Sequence, residues 1–214
     1  SNPTITDNKT TDGTGTGSFT SNISGLQPGT MYHVRSYSTN SEGTSYGNDL
    51  TFTTDSVVPT VVTAAISELT TRTAISGGNI SSNGGSPVTV RGICWSTLHN
   101  PTIANSITTD GSGSGSFTSN MNRLDANTKY YVRAYAVNSV GTAYGNEVAF
   151  TSEQVVLANV TTATVSSITS ATAISGGNVT NDGGGSITLK GVCWATTSNP
   201  TITDNKTTDG TGTG

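Results

Sequence analysis

The same seventeen residues open and close this chain. SNPTITDNKTTDGTGTG occupies residues 1–17 and returns at residues 198–214, and a diverged form, NPTIANSITTDGSGSG, stands at residues 100–115. Self-similarity at a fixed period indicates a tandem array in which every copy folds alike. The sequence therefore predicts three copies of one unit, with successive copies offset by 98 and 99 residues.

Other matching segments show which parts of the unit each copy contains. GSFTSNISGL at 17–26 matches GSFTSNMNRL at 115–124, and TAISGGNI at 73–80 matches TAISGGNV at 172–179. Linker-like stretches follow strand-like runs near Asp55 and Glu153. We therefore predict the C-terminal half of a repeat in 1–54, a complete repeat in 55–152 and the N-terminal half of a repeat in 153–214.

The local pattern is that of β-strands throughout. Short segments rich in β-branched and aromatic residues alternate with Gly, Asn, Asp and Ser turns at a spacing typical of β-sandwiches. The clearest strand, YYVRAYAVN at 130–138, places Tyr130, Val132, Ala134 and Ala136 on one face, which we predict to be core. Tyr131, Arg133, Tyr135 and Val137 share the other face. No window has the period of an amphipathic helix, so we predict an all-β chain.

Composition excludes several classes of function. Charged residues make up 10% of the chain and the formal net charge is -4, with no Lys or Arg cluster that could neutralise phosphates, so no nucleic-acid partner is expected. No run of about 18 apolar residues occurs, so we expect no membrane insertion in this segment, and any export signal lies outside it.

The two cysteines occupy equivalent places in different copies. Cys94 stands in RGICWS and Cys193 in KGVCWA. One repeat length separates such positions, beyond the reach of about 7 Å that a disulfide allows. We therefore predict one buried free thiol in each repeat, with a structural role.

One stretch resembles a known family. LQPGTMYHVR at 26–35 is similar to the end of a fibronectin type III repeat, a member of the immunoglobulin-like β-sandwiches. The resemblance implies tandem sandwiches in which Tyr32 and Tyr130 form a tyrosine corner, with the ring packed inward and the hydroxyl bonded to backbone upstream. The middle copy departs from the family at Asp125-Ala126-Asn127, which replaces the Pro-Gly turn.

The other half of the unit resembles a more specific repeat. Ordinary fibronectin repeats carry Trp in the second strand, whereas this chain has Gly77-Gly78-Asn79 there and places Trp95 and Trp194 in the third. SGGN, RGICWS, NPTI and YYVRAYAVNSVGTAYGNEV together resemble repeats of large secreted surface proteins of Bacteroidota-type bacteria. This resemblance implies an extracellular stalk or adhesin segment on the bacterial cell surface, and it implies no ligand.

Three kinds of site are not expected from this sequence. The glycine-rich TTDGTGTGSF lacks the Lys and helix start of a phosphate loop, because a strand follows it. Asp7, Asn8 and Asp12, with their counterparts Asp204, Asn205 and Asp209, supply too few carboxylates for calcium, and the middle copy has Asn105, Ser106 and Asp110. His33 and His99 do not recur in the other copies, so we expect no metal, cofactor, catalytic residue or enzyme activity.

An aromatic patch is the one candidate for ligand binding. Alternation from Val88 and Val90 places Cys94 inward and Trp95 outward, where Trp95 meets Arg133 and Tyr135 on the neighbouring strand. Trp194 holds the same place in the third copy. Such a patch suits stacking on surface glycans. The alternative is a bulge at Gly92 that turns Trp95 into the core.

The sequence as a whole predicts a non-catalytic repeat of an extended stalk or filament in an extracellular adhesin. Two alternatives stay open: a glycan-binding module and an accessory domain of a secreted hydrolase. Because residues 1–54 and 153–214 are complementary halves of one unit, we expect the chain to partner with itself, the end of one copy completing the start of the next. Such completion is either covalent in a longer chain or a strand exchange between chains.

Overall fold

The computed structural model describes residues 2–212, and every regular element in that range is a β-strand. No helix in this range is long and apolar enough to span a membrane. The predicted all-β fold is confirmed. The strands are β1 Met31–Val34, β2 Tyr37–Asn40, β3 Gly43–Tyr46, β4 Leu50–Thr53, β5 Thr60–Thr63, β6 Ala74–Ser82, β7 Val90–Ser96, β8 Ser106–Ile107, β9 Gly115–Met121, β10 Lys129–Val137, β11 Thr142–Tyr144, β12 Val148–Thr151, β13 Asn159–Thr162, β14 Gly177–Asn181, β15 Cys193–Trp194 and β16 Asn205–Lys206.

Strands β5 to β12 form an antiparallel β-sandwich of the immunoglobulin-like and fibronectin type III-like kind. One sheet has the order β5-β6-β9, and the other has the order β11-β10-β7-β8 with β12 also paired to β10. Side chains from both sheets meet between them. The buried core cluster contains Ala74, Ile93, Met121, Leu124, Tyr130, Val132 and Ala134.

The alternation predicted for β10 holds on its core side. Tyr130, Val132 and Ala134 belong to the main core cluster, and Ala136 packs with Ile80 and Val88 in a second one. The opposite face is also largely covered, since Tyr131 and Tyr135 are buried there.

The side chains of strand β7 that point into the core are the opposite set from those predicted. Val90 pairs with Val137, and the N–H of Thr89 also donates to the Val137 carbonyl at 2.8 Å, so two residues oppose one. This bulge inverts the alternation that the residues before it suggest. Ile93 therefore lies in the core, and Cys94 lies on the outer face of the sheet.

The flanking segments contain strands that correspond to parts of the sandwich. In residues 2–54, β1 pairs with β4 and β2 with β3, which matches the β10, β11 and β12 region of the middle repeat. In residues 153–212, β13 pairs with β14 and β15 with β16, which matches β5 to β8. Each flanking segment therefore has one part of the strand set whose other part lies in the opposite segment.

Candidate functional site

The three side chains of the predicted aromatic patch do not meet. Trp95 is opposite Val132 in the ladder and packs against the core cluster, whereas Arg133 is opposite Cys94 on the outer face. Directly opposed residues of antiparallel strands share a face. The prediction that Trp95 points outward beside Arg133 and Tyr135 is therefore wrong. The alternative of a core-facing Trp95 is right, although the bulge lies at Thr89 and Val90.

Tyr135 is on the outer face but only 2% exposed, because a loop lies across that face. Its hydroxyl donates to the Thr108 carbonyl at 2.7 Å. A Cβ on Gly92 would lie 3.0 Å from the Tyr135 ring and 2.2 Å from the Thr108 oxygen, so only glycine leaves room for this contact. The loop before Thr108 is held by the Ile103 N–H, which donates to the Tyr144 hydroxyl at 3.2 Å.

Arg133 is engaged within its own repeat. Its Nε donates to the Gly145 carbonyl at 3.0 Å, and its guanidinium lies 4.8 Å from the centre of the Tyr144 ring. Arg35 makes the same two contacts in the first copy, with Gly47 at 3.0 Å and Tyr46 at 4.7 Å. The aromatic surface near Arg133 is thus covered by cation–π stacking inside the repeat.

Trp194 is 51% exposed, unlike its counterpart Trp95. It lies on β15, whose partner in the described range is β16. The middle repeat covers the equivalent residue with β10, and residues 153–212 contain no strand equivalent to β10. Its exposure therefore reflects the missing strand.

Tyr32 and Tyr130 make equivalent corner contacts. The Gln27 N–H donates to the Tyr32 hydroxyl at 2.8 Å, and the Asp125 N–H donates to the Tyr130 hydroxyl at 3.0 Å. Each tyrosine also stacks on a phenylalanine, at 5.8 Å for Phe52 and 5.7 Å for Phe150 between ring centres. The altered turn at 125–127 leaves this corner unchanged.

Both cysteines are free thiols. Cys94 is buried, and its Sγ donates to the Pro101 carbonyl at 3.3 Å, while Cys193 is half-buried and makes the same contact with Pro200 at 3.3 Å. Burial raises the pKa of the Cys94 thiol to about 11. A protonated and enclosed thiol is a poor nucleophile.

The acidic residues of the repeated loops have local partners. Asp12 accepts from Ser21 at 2.6 Å and from Thr10 at 2.7 Å, and these bonds lower the pKa of its carboxyl group. Asp110 accepts in the same way from Ser119 and Thr108. Asp7 accepts the Thr4 N–H at 2.8 Å. In the described part of the chain, no three His, Cys, Asp or Glu side chains are grouped to hold a metal ion.

The two histidines bind equivalent carboxylates from different strands and loops. His33 on β1 contacts Asp49 at 2.7 Å, whereas His99 in the loop after β7 contacts Glu147 at 2.8 Å. The N–H of Asn100 also binds Glu147 and is the largest cause of the lowered pKa of that carboxyl group. These contacts fix loops at the edge of the sheet.

The feature that sequence reasoning missed is the joint between repeats. The Val57 N–H donates to the Gly84 carbonyl at 2.8 Å in the first joint, and the Val156 N–H donates to the Gly183 carbonyl at 2.9 Å in the second. On the other side of each linker, the Gly29 N–H reaches the Asp55 carbonyl at 3.2 Å, and the Asn127 N–H reaches the Glu153 carbonyl at 3.0 Å. Each linker is therefore bonded in the same way to the repeat before it and the repeat after it.

A glycine pair makes each joint possible. Gly84 and Gly183 have φ of +71° and +69°, and a Cβ on either would lie 2.1 Å from the carbonyl oxygen of Val57 or Val156. The signal in the sequence is the recurrence of Gly-Gly at 84–85 and 183–184. A tight turn alone would also account for a Gly-Gly pair, because glycine adopts positive φ readily. The role of the pair in the joint therefore follows only from the position of the linker backbone in the structure.

Asn138 ties the first linker to the middle repeat. This residue is 5% exposed, and its Nδ2 donates to the carbonyls of Val57 at 2.7 Å and Asn83 at 3.0 Å. Its Oδ1 accepts the N–H groups of Val140 and Gly141 in the adjoining turn. One side chain thus joins the linker, the glycine turn and the β10–β11 turn.

Comparison with known proteins finds distant likenesses among solved structures. No family model matches the chain, and a search of curated proteins finds no significant relative. Among solved structures, the d3–d4 domains of the rat CD45 extracellular region align at 13% identity with a TM-score of 0.47, covering 70% of this chain and 78% of that one.

Two further structures align at lower scores. The sensor domain of the anti-sigma factor RsgI4 in Pseudobacteroides cellulosolvens has 14% identity and a TM-score of 0.36, covering 46% of this chain and 97% of that one. The FN1–FN3 domains of chicken CNTN1 have 18% identity and a TM-score of 0.35, and the alignment covers 61% of this chain and 45% of that one. Scores this low say nothing about function, and the fold follows from the strand pairing described above.

Proposed function

We propose that this chain is a non-catalytic structural repeat in the stalk or filament of an extracellular bacterial adhesin. The supporting observation is that both joints use the same backbone hydrogen bonds, from Val57 to Gly84 and from Val156 to Gly183. A spacer must pass a fixed orientation from one unit to the next, and a linker bonded on both sides restricts swivelling.

Side-chain and backbone contacts between repeats add to this restriction. Gly85 packs on the Pro28-Gly29 turn so closely that a Cβ on it would lie 2.5 Å from the Pro28 carbonyl carbon. In the second joint, the Thr71 hydroxyl donates to the Gly184 carbonyl at 2.8 Å. A glycan-binding role has no comparable support, because Trp95 and Arg133 lie on opposite faces of one sheet.

Distances across the two joints test the spacer role. Spin labels at Thr51 and Thr89 span the first joint, and labels at Ala149 and Thr188 occupy equivalent exposed positions across the second. Cys94 and Cys193 are replaced by Ala so that only the labelled positions react. Pulsed electron paramagnetic resonance on the monomer should then give narrow distributions of the distance between the labels, with similar mean distances for the two joints. A Gly-Ser insertion after Ser56 is the flexible control. Distributions as broad as this control would contradict the spacer role.

Export to the cell surface needs its own test. Protease added to intact cells of the source organism should degrade the protein while a cytoplasmic marker survives. Complete protection on intact cells, with degradation only after lysis, would refute the extracellular assignment.

A further inference from the structure

The sequence contains a single Asn-Gly step, at residues 83 and 84, and this step lies in the turn that forms the first joint. Glycine has no Cβ, so the nitrogen that follows the asparagine is unhindered. An asparagine side-chain amide can cyclise with such a nitrogen, because the chain holds the two groups close together. Asn83 is exposed and Gly84 is buried, so the side chain is open to water while the nitrogen is covered.

Both reacting groups have other partners in the closed joint. The Gly84 N–H donates to the Ser82 Oγ at 3.1 Å, and the Asn83 Oδ1 accepts the Gly85 N–H at 2.9 Å. The attacking nitrogen and the amide oxygen are thus held by different groups of the same turn. Cyclisation requires both of these hydrogen bonds to break.

The linker fixes the main chain around the same step. The Gly84 carbonyl accepts the Val57 N–H at 2.8 Å, and the Asn83 carbonyl accepts the Asn138 Nδ2 at 3.0 Å. A Cβ on Gly84 would lie 2.1 Å from the Val57 carbonyl oxygen, so the linker lies directly on the turn. The main chain at residues 83–84 can therefore reach a reactive geometry only by a local opening in which the linker separates from it.

We propose that Asn83 is a site of spontaneous deamidation and that the first joint must open for the reaction to occur. In the opened joint, hydroxide removes the Gly84 amide proton and the nitrogen attacks the Asn83 Cγ carbonyl. The bond from Cγ to the side-chain nitrogen breaks, ammonia leaves with a proton taken from water, and a succinimide ring closes. Water then adds to one ring carbonyl. Breaking the bond from Cγ to the ring nitrogen gives Asp, and breaking the bond from the main-chain carbonyl carbon gives isoaspartate.

The second joint shows that an Asp product is compatible with this turn. Asp182 holds the equivalent place, its Oδ1 accepts the Gly184 N–H at 2.9 Å, and the Val156 N–H donates to the Gly183 carbonyl at 2.9 Å. Isoaspartate instead routes the main chain through Cβ and Cγ, which lengthens it by a methylene group and shifts the carbonyls that the linker and Asn138 bind. An Asp product therefore lets the joint close again, whereas isoaspartate leaves it loosened. The inference concerns the joint itself and stands whether or not the protein is part of a stalk.

Val57→Pro provides a selective test. Proline has no N–H, so the hydrogen bond to the Gly84 carbonyl is lost, and the Val57 side chain is 48% exposed. When opening is fast relative to the reaction, the reaction rate follows the population of the open form. Val57→Pro should therefore be deamidated roughly three- to tenfold faster than the parent, which corresponds to the net stability of one backbone hydrogen bond. Val57→Ala is the matched control, because it keeps the N–H, and it should match the parent.

Incubation of the full chain in mildly alkaline buffer, followed by digestion with trypsin, gives the rates. The tryptic peptide of residues 73–91 contains Asn83. Mass spectrometry measures the exchange of its amide for a carboxyl group, and an isoaspartyl methyltransferase measures the isoaspartate formed. The parent unfolded in urea gives the rate of the open turn, and the folded parent should react more slowly. Equal rates for folded and unfolded parent, equal rates for Val57→Pro and Val57→Ala, or no deamidation of Val57→Pro would each overturn the proposal.

Two further variants separate opening of the joint from unfolding of the whole repeat. Tyr130→Phe weakens the sandwich at the tyrosine corner and leaves the joint contacts in place, so its rate should stay near that of the parent. Asn138→Asp removes the donor to the Asn83 carbonyl and opens the joint by a second route, so it should react faster than Tyr130→Phe. If Tyr130→Phe is accelerated as much as Val57→Pro and Asn138→Asp, deamidation follows global unfolding and the proposed role of the joint is wrong.

Discussion

At the scale of single residues, the stability of this repeat depends on polar groups that bind backbone. Asn138 and Tyr130 each satisfy main-chain groups that the sandwich would otherwise bury without partners. Losing a buried partner costs more than the net gain of forming the bond, because the remaining group stays desolvated. Two substitutions isolate these contributions.

Asn138→Asp should destabilise the middle repeat. The Oδ1 acceptor of the turn is kept, but the donor to Val57 and Asn83 becomes a second acceptor facing two carbonyls. We expect the free energy of unfolding to fall by about 1–3 kcal/mol. Urea denaturation followed by Trp95 fluorescence in a Trp194→Phe background measures it.

Asn40→Asp is the control for Asn138→Asp. Asn40 Oδ1 accepts the N–H groups of Glu42 and Gly43, as Asn138 does in its own turn. Asp in this turn should leave the hydrogen exchange of the Gly43 amide unchanged. If Asn138→Asp is as stable as the parent, the linker bonds contribute nothing to stability.

Tyr130→Phe should cost about 1–2 kcal/mol of unfolding free energy, because the Asp125 N–H loses its acceptor while the ring still packs. Tyr131→Phe is the matched control, since in the described range the Tyr131 hydroxyl makes no hydrogen bond and its ring contacts His99. The same denaturation assay applies. Equal losses for the two variants would show that the corner bond has no special weight.

At the scale of elements, strand β7 decides which groups face the core and which lie under the loop. Its bulge sends Ile93 and Trp95 inward and puts Cys94 beneath Pro101. The alternation of β10 was predictable because nine residues keep one period. The facing of β7 was not, because neither Thr89 nor Val90 has a side chain that marks a bulge.

The burial of Cys94 predicts a pH dependence. The folded thiol has a pKa of about 11 against an ordinary value of 9.0, so the folded state keeps a proton that the unfolded state releases in that interval. The stabilisation is complete below the ordinary value and is lost as pH rises towards the folded pKa. Relative to Cys94→Ala, the unfolding free energy should drop by on the order of 2 kcal/mol between about pH 8 and pH 11.

Denaturation of both proteins across this pH range gives the comparison, since alkaline effects of Tyr and Lys are common to the two. A constant difference between them would contradict a buried, protonated thiol. A thiol reagent provides a second measurement, and it should modify Cys94 of the parent only on the timescale of unfolding.

At the scale of the whole molecule, the recurring element is the joint rather than any surface patch. The sequence revealed the repeats and the β-sandwich, because strand pattern and self-similarity are local signals. It did not reveal that Gly84 meets Val57, because that contact depends on where one repeat places its linker against the next. The predicted exposure of Tyr135 failed for a related reason, since a loop from elsewhere in the repeat covers this residue.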